Sequence, residues 1–161
     1  MKFIRAIFTV MVQYSFYVFI LFSLVVSLLS GFSDVIYHSR RTAAQEEWMR
    51  EAEAEREEYI EVDYTPNLVT GIAAFVMFAV SSVLAVSFFM KKLNVSTHVL
   101  LIAVTVLAAF IFFLPRPPIG TGTEKMKEVF AYLMFLGIID SSLYRTYILK
   151  SNPVDRQTVQ R

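Results

Sequence analysis

The sequence contains no cysteine, only two histidines and no cluster of basic residues. The lack of cysteine excludes disulfide bonds, thiolate metal ligands and a cysteine nucleophile. The lack of a basic cluster argues against a nucleic-acid surface, which needs many positive charges on one face. The net charge is +1, from 15 basic and 14 acidic residues, so overall charge indicates no class of partner. We therefore expect no nucleic-acid partner, no metal and no cofactor.

Charge is also missing from three long stretches of the chain: Ala6–Ser33, Tyr64–Met90 and Leu93–Pro115. A fourth apolar stretch begins at Val129 and is shorter, because it meets Asp140. A helix that crosses ~30 Å of hydrocarbon needs ~20 mostly apolar residues. Together with a hydrophobic content of 56%, this pattern predicts an integral membrane protein that crosses the lipid bilayer four times.

We predict an all-α integral membrane protein with a single domain over residues 1–161. Its four transmembrane helices are expected at about residues 7–30, 67–90, 95–114 and 126–149, followed by a polar tail at 150–161. The first span is rich in aromatic and β-branched residues, but a backbone in lipid must satisfy its own hydrogen bonds, which favours a helix. Its start resembles a signal sequence, and the length of the apolar run predicts an uncleaved signal anchor.

Local signals predict where these helices begin and end. Gly31 and the polar residues after it are a plausible stop for the first span. Thr65 and Pro66 fit the N-cap and the first helical position of the second span. Asn94 is a candidate cap for the third span, and Pro115 ends that span because proline cannot continue a helix. The second and third spans should therefore form a tight antiparallel hairpin.

The acidic residues are concentrated in residues 34–65, which hold ten of the 14. We predict that this segment is an acidic extramembrane loop containing a polar helix at about 42–60. Thr42 and Gln45 have the spacing of a capping box at the start of that helix, and good helix formers follow them.

The polar helix at 42–60 carries the candidate residues for docking a protein partner. Glu46 and Arg50 form an i,i+4 pair with the acid on the N-terminal side, worth ~0.2–0.5 kcal/mol in an isolated helix. Trp48 and Met49 lie between them in sequence and would anchor the docking surface. The alternative is an ordinary solvated helix without a partner.

Four spans place both termini on one side of the membrane, together with the turn at residues 91–94. Eight of the 15 basic residues lie on that side and seven on the other. The positive-inside rule counts bases near span ends and largely ignores acids. Because Arg50 and Arg56 lie farther from a span, we predict a multi-pass protein of the inner (plasma) membrane with cytoplasmic termini. The alternative orientation places the acidic helix in the cytoplasm.

Asp140 is the main candidate for chemistry inside the membrane. A carboxylate at a helix centre costs ~2.5–3.5 kcal/mol on insertion scales, and such residues usually face protein or a water-filled cavity. Five other polar residues are expected at nearly the same depth: Gln13, Ser81, Ser82, Thr105 and Ser141. With Asp140 they form a layer roughly 5 Å thick when depth is counted at about 1.5 Å per residue. His98 and Arg145 lie about one turn nearer the same membrane face.

Three interpretations of this polar layer remain open. The first is hydrogen bonding between helices, worth ~0.6 kcal/mol per bond on average. The second is an oligomer interface in which Asp140 pairs with Arg145 or His98 of a neighbouring copy. The third is an ion or proton path that uses Asp140 and His98. Small residues such as Gly71 and Ala85 mark the face of the second span that packs against other helices.

No catalytic arrangement emerges from the sequence. Ser141 beside Asp140 is not a serine triad, and His38 and His98 are expected on opposite sides of the membrane, where they could not share a metal. The leading hypothesis is a non-enzymatic membrane subunit that senses or scaffolds, forms homo-oligomers through its bundle and engages a partner through 42–60. The alternatives are an ion- or proton-conducting channel using the layer around Asp140, and a membrane immunity or exclusion protein, which is similar only in size and span number.

Overall fold

The structure is a computed structural model that describes residues 2–55, 63, 65–90, 94–114 and 122–149. Its elements are four α-helices and one terminal π-helical segment: α1 Lys2–Glu55, α2 Thr65–Phe89, α3 Val95–Phe113, α4 Gly122–Leu143 and the π-helix Tyr144–Leu149. Within those described ranges there is no strand. The predicted all-α fold class is confirmed.

Three of the helices are long and apolar enough to cross a membrane: α1 over Val10–Glu51, α2, and α3. This composition is consistent with a membrane protein, as the sequence predicts. Among the described residues, α4 is not one of these three helices. Its apolar run begins at Val129 and ends at Asp140.

The first span and the polar helix at 42–60 were predicted as separate helices, and that prediction is wrong. A single helix of 54 residues, Lys2–Glu55, covers both as far as the structure describes them, and residues 56–60 lie outside the described ranges. Gly31 does not stop the helix, because it is buried in a close contact between helices, where an added Cβ would lie 3.2 Å from the ring of Phe75. Thr42 does not cap a new helix either: its hydroxyl donates to the carbonyl of His38 (2.9 Å) in the preceding turn.

The boundaries of α2 and α3 agree closely with the sequence. The side-chain oxygen of Asn94 accepts the backbone N–H of Thr97 at 3.1 Å, so the predicted N-cap of α3 is confirmed. The helix α2 begins at Thr65 itself, and Asp63 supplies the acceptor for the Thr65 N–H at 2.8 Å. Hydrogen bonds with the side chain and then the backbone of Thr65 hold the pKa of Asp63 below its usual value. The predicted tail at 150–161 lies outside the described residues.

Side-chain contacts define an antiparallel four-helix bundle. Phe16 packs near Phe88 (ring centroids 5.8 Å apart) and Phe32 near Phe75 (5.3 Å), so α1 and α2 run in opposite directions. The helix α4 returns beside α1, where Phe16 and Tyr144 meet edge to face. Large apolar side chains are fully buried along the bundle axis: Phe16, Phe19, Met77, Leu84, Val104, Ile111, Phe130 and Leu133. This arrangement has the up-down-up-down topology that short connections favour.

The helix α1 extends past the start of α2. Asp34 of α1 lies beside Thr70 of α2, and α2 begins only five residues before Thr70. Counted at about 1.5 Å per residue, the last fifteen or so residues of α1 therefore continue for roughly 20–25 Å beyond that start. The projecting part carries the exposed residues Glu46, Glu47, Trp48, Arg50 and Glu51.

Candidate functional site

Asp140 is fully buried between α4 and α1. Its Oδ1 accepts a hydrogen bond from the hydroxyl of Ser15 at 2.6 Å. Its Oδ2 has no hydrogen-bond partner among the described residues. Because a carboxylate at this depth is costly in contact with lipid, the bond to Ser15 holds the acidic group inside the bundle. Ser15 itself was not among the residues predicted from sequence.

His98 joins α3 to α4 through Ser141. The ring Nε2 lies 3.1 Å from the carbonyl oxygen of Ser141 and 3.0 Å from its hydroxyl. Nε2 donates to the carbonyl when it carries the proton and accepts from the hydroxyl when it does not. The imidazole also stacks on the ring of Tyr144, with centroids 5.6 Å apart and planes at 11°. The Tyr144 hydroxyl donates to the carbonyl of Asn94 at 3.0 Å, so the same contacts fix the end of α4 against the cap of α3.

A groove of about 430 Å³ opens between α3 and α4 beside this contact. Its polar lining consists of His98, Thr105, Ser141, Ser142 and Arg145, and its apolar lining of Ile102, Val106 and Ile138. The structure thus brings together four residues that the sequence singled out, His98, Thr105, Ser141 and Arg145. The two helices pack closely beside the groove, where a Cβ added to Gly137 would lie 3.0 Å from the Cβ of Thr105.

The other residues of the predicted layer point elsewhere. Gln13 is exposed on the outer face of α1. The Ser81 hydroxyl is fully buried and lacks a partner among the described residues, whereas the Ser82 hydroxyl donates to the carbonyl of Phe78 in its own helix (2.8 Å). Thr105 does line the groove, but its hydroxyl also donates within its own helix, to the carbonyl of Leu101 (2.8 Å). Similar depth therefore does not give these side chains a common direction.

The predicted docking residues lie far from this groove, on the projecting part of α1. Glu46 and Arg50 are exposed, Trp48 is 57% exposed, and Met49 is half-buried. Along the same helix, the rise from Ser15 to Trp48 is roughly 50 Å.

A second polar cluster, which sequence reasoning missed, follows one face of α1. Four side chains on that face are fully buried: Ser23, Ser27, Ser30 and Asp34. Their spacing of four, three and four residues is that of one helix face, and this spacing was the available signal. Ser23 and Ser27 donate back to carbonyls of their own helix, while Thr70 of α2 donates to Asp34 Oδ2 at 3.0 Å.

The α2 side of this second cluster contains Asn67, Thr70 and Gly71. Asn67 is fully buried, and neither atom of its side-chain amide has a hydrogen-bond partner in the described ranges. Gly71 allows the backbones of α1 and α2 to approach, since a Cβ there would lie 2.9 Å from Cγ2 of Val35. Small residues at such positions are typical of helix contacts in membranes.

No family model, curated protein or solved structure matches the chain. Among the described residues there is no group of three or more histidine, aspartate or glutamate side chains that could hold a metal ion. His38 is half-buried on α1, four residues after Asp34, whereas His98 is in the groove at the opposite end of the bundle.

Proposed function

We propose that this protein is a non-enzymatic subunit of the inner (plasma) membrane that scaffolds a protein partner. The partner would bind the projecting part of α1, and the four-helix bundle would hold that helix in the membrane and self-associate. The observation that carries the proposal is the continuity of α1 from Lys2 to Glu55. A continuous helix transmits position and tilt from the bundle to Trp48, whereas a hinged loop would not.

The proposal includes α4 as the fourth span, and two contacts support it despite its charged residues. Asp140 is fully buried and bonded to Ser15, so its carboxylate does not face lipid. Lys127 donates from Nζ to the carbonyl of Leu114 at 2.7 Å, at the end of α3. With its π-helical extension the helix covers residues 122–149, roughly 40 Å at the usual rise per residue.

The chemistry of the docking surface indicates the kind of partner. Trp48 is surrounded in sequence by Glu46, Glu47, Arg50 and Glu51, and all five side chains are exposed. Buried tryptophans commonly dominate binding energy at interfaces, and a charged rim contributes specificity and rate of association. We therefore expect a partner with an apolar pocket for the indole and a mainly basic rim.

Site-specific photocrosslinking in cells tests this function. A photoreactive amino acid at Glu47 should give a discrete adduct of fixed mass, and the adduct should disappear when Trp48→Ala is added. The matched change Arg40→Ala, at another exposed position of α1, should leave the adduct intact. A photoreactive residue at Val83, which is 54% exposed on α2, should not give the same adduct. Failure to obtain an adduct at Glu47, or an adduct insensitive to Trp48→Ala, would contradict the proposal.

The ion-path and immunity alternatives stay hypotheses. The first depends on Asp140. The second depends on polar residues of the bundle acting on a toxin's helices inside the bilayer. No contact in the described ranges favours either over the scaffold.

A further inference from the structure

We propose that the groove between α3 and α4 binds the headgroup and upper acyl chain of an anionic phospholipid from the surrounding bilayer. The groove is independent of the docking surface on α1, so this inference does not rest on the proposed function. The inference follows from where the charged and the apolar side chains lie in the groove, and from the position of each kind of side chain along the axis of α3.

The polar end of the groove has the composition of a phosphate site. Arg145 is exposed there, and Ser142 offers a hydroxyl donor. His98 offers Nδ1–H as a donor in the tautomer whose Nε2 accepts from the Ser141 hydroxyl. Among the described residues that line the groove there is no carboxylate. Asp140, the nearest acid in the sequence of α4, is fully buried and bonded to Ser15 on the other side of the helix. The groove therefore presents positive charge that the protein does not neutralise from its lining, and arginine is well suited to bind phosphate oxygens.

The deeper end of the groove is apolar and suits an acyl chain. Ile102, Val106 and Ile138 line it, and all three side chains are exposed. His98 is four residues beyond the Asn94 cap and Val106 is twelve, which places them roughly 6 Å and 18 Å along α3 from that end. A molecule that fits both ends must have an anionic head near the membrane face and a hydrocarbon tail below it. A lipid has this form, whereas a free phosphate does not.

Local contacts fix the charged end of the groove. Tyr144 stacks on His98 and donates to the Asn94 carbonyl, which fastens α4 to α3 immediately before Arg145. The helix also changes to π-helical bonding over Tyr144–Leu149. Single π-helical turns are frequent at functional sites.

Native mass spectrometry of the full chain in a neutral detergent tests the site. We expect phosphatidylglycerol to be retained at lower concentration than phosphatidylcholine with the same acyl chains. Loss of one charge-assisted contact in Arg145→Gln should weaken phosphatidylglycerol binding roughly 10-fold. The matched change Arg40→Gln, at an exposed position outside the groove, should leave binding unchanged.

A second pair of variants tests the apolar end without altering charge. Val106→Trp should fill the groove and displace the acyl chain, whereas Val83→Trp, at a similarly exposed position on α2, should not. Circular dichroism and thermal unfolding would establish that each variant is folded, and this pair carries the test if Arg145→Gln does not fold.

The proposal would be overturned if both lipids were retained equally, or if Arg145→Gln and Val106→Trp left phosphatidylglycerol binding unchanged. Competition by soluble glycerol phosphate would also overturn it and would indicate a simple anion site. A change in oligomeric state instead of lipid binding would overturn it too, and would indicate an interface between copies of the chain.

Discussion

At the scale of single residues, the burial of a charged side chain was easier to predict than the direction of the other polar side chains. Asp140 stood out because a charge interrupts an apolar run, and it is indeed fully buried. Its partner Ser15 could not be identified from sequence, because every face of a membrane helix is apolar and hydrophobic periodicity does not show which face points inward. The same limit applies to Gln13, which shares the predicted layer but is exposed on the outside of the bundle.

The bond between Ser15 and Asp140 gives a prediction for stability. Ser15→Ala removes the only hydroxyl that bonds Asp140 among the described residues, so we expect the free energy of unfolding to fall by about 1–2 kcal/mol. Asp140→Asn keeps the shape and the acceptor but removes the charge, so we expect stability equal to or above that of the original chain. The cost of Ser15→Ala should also be smaller in the Asp140→Asn background.

Reversible unfolding in mixed micelles, arranged as a double-mutant cycle, measures both effects. Ser142→Ala, at an exposed position of α4, serves as the control and should change little. An equal cost of Ser15→Ala in both backgrounds would mean that the carboxylate does not use this hydroxyl.

At the scale of elements, local signals succeeded where packing agreed with them and failed where it did not. The cap at Asn94 and the apolar runs predicted the boundaries of α2 and α3 to within a few residues. The local sequence at Gly31 and Asp34 predicts a helix end. However, the contacts of Gly31 with Phe75 and of Asp34 with Thr70 bury this stretch against α2. Tertiary contacts of this kind override local propensity, so the continuity of α1 could not be derived from sequence.

Pulsed electron–electron double resonance between two spin labels tests the continuity of α1. Because the sequence contains no cysteine, labels attach only where cysteine is introduced. Phe32 and Glu51 are both exposed, and cysteines there lie on either side of most of the predicted break at residues 31–41. In one straight helix the labelled positions are separated by roughly 28 Å along the axis, so we expect a single narrow distance distribution. Two helices joined by a flexible turn would give a broad one.

The control pair is Val10→Cys and Leu29→Cys, which has the same separation in sequence as the test pair and lies wholly within the first predicted span. It should give the same distance and width under either description of α1. A distribution for Phe32→Cys and Glu51→Cys that is clearly broader than this control would refute the continuous helix, and with it the observation on which the scaffold function depends.

At the scale of the whole molecule, the antiparallel bundle shows which helix ends lie together, but not which compartment each end would meet. The paired contacts of Phe16 with Phe88 and Tyr144 place the start of α1, the end of α2 and the end of α4 together. The projecting part of α1 then lies on the opposite side. In the predicted four-span topology, eight basic residues lie on one side and seven on the other. The positive-inside rule then favours cytoplasmic termini only because Arg50 and Arg56 are remote from a span in sequence.

Labelling of single introduced cysteines with a membrane-impermeant maleimide tests topology and the fourth span together. We use four exposed positions: Glu47, Met90, Glu128 and Thr146. In intact spheroplasts, Glu47→Cys and Glu128→Cys should react, while Met90→Cys and Thr146→Cys should react only after permeabilisation. Labelling of Glu128→Cys and Thr146→Cys from the same side would show that α4 does not cross the membrane. The fully reversed pattern would retain the bundle but place the acidic end of α1 in the cytoplasm, where its partner would then be sought.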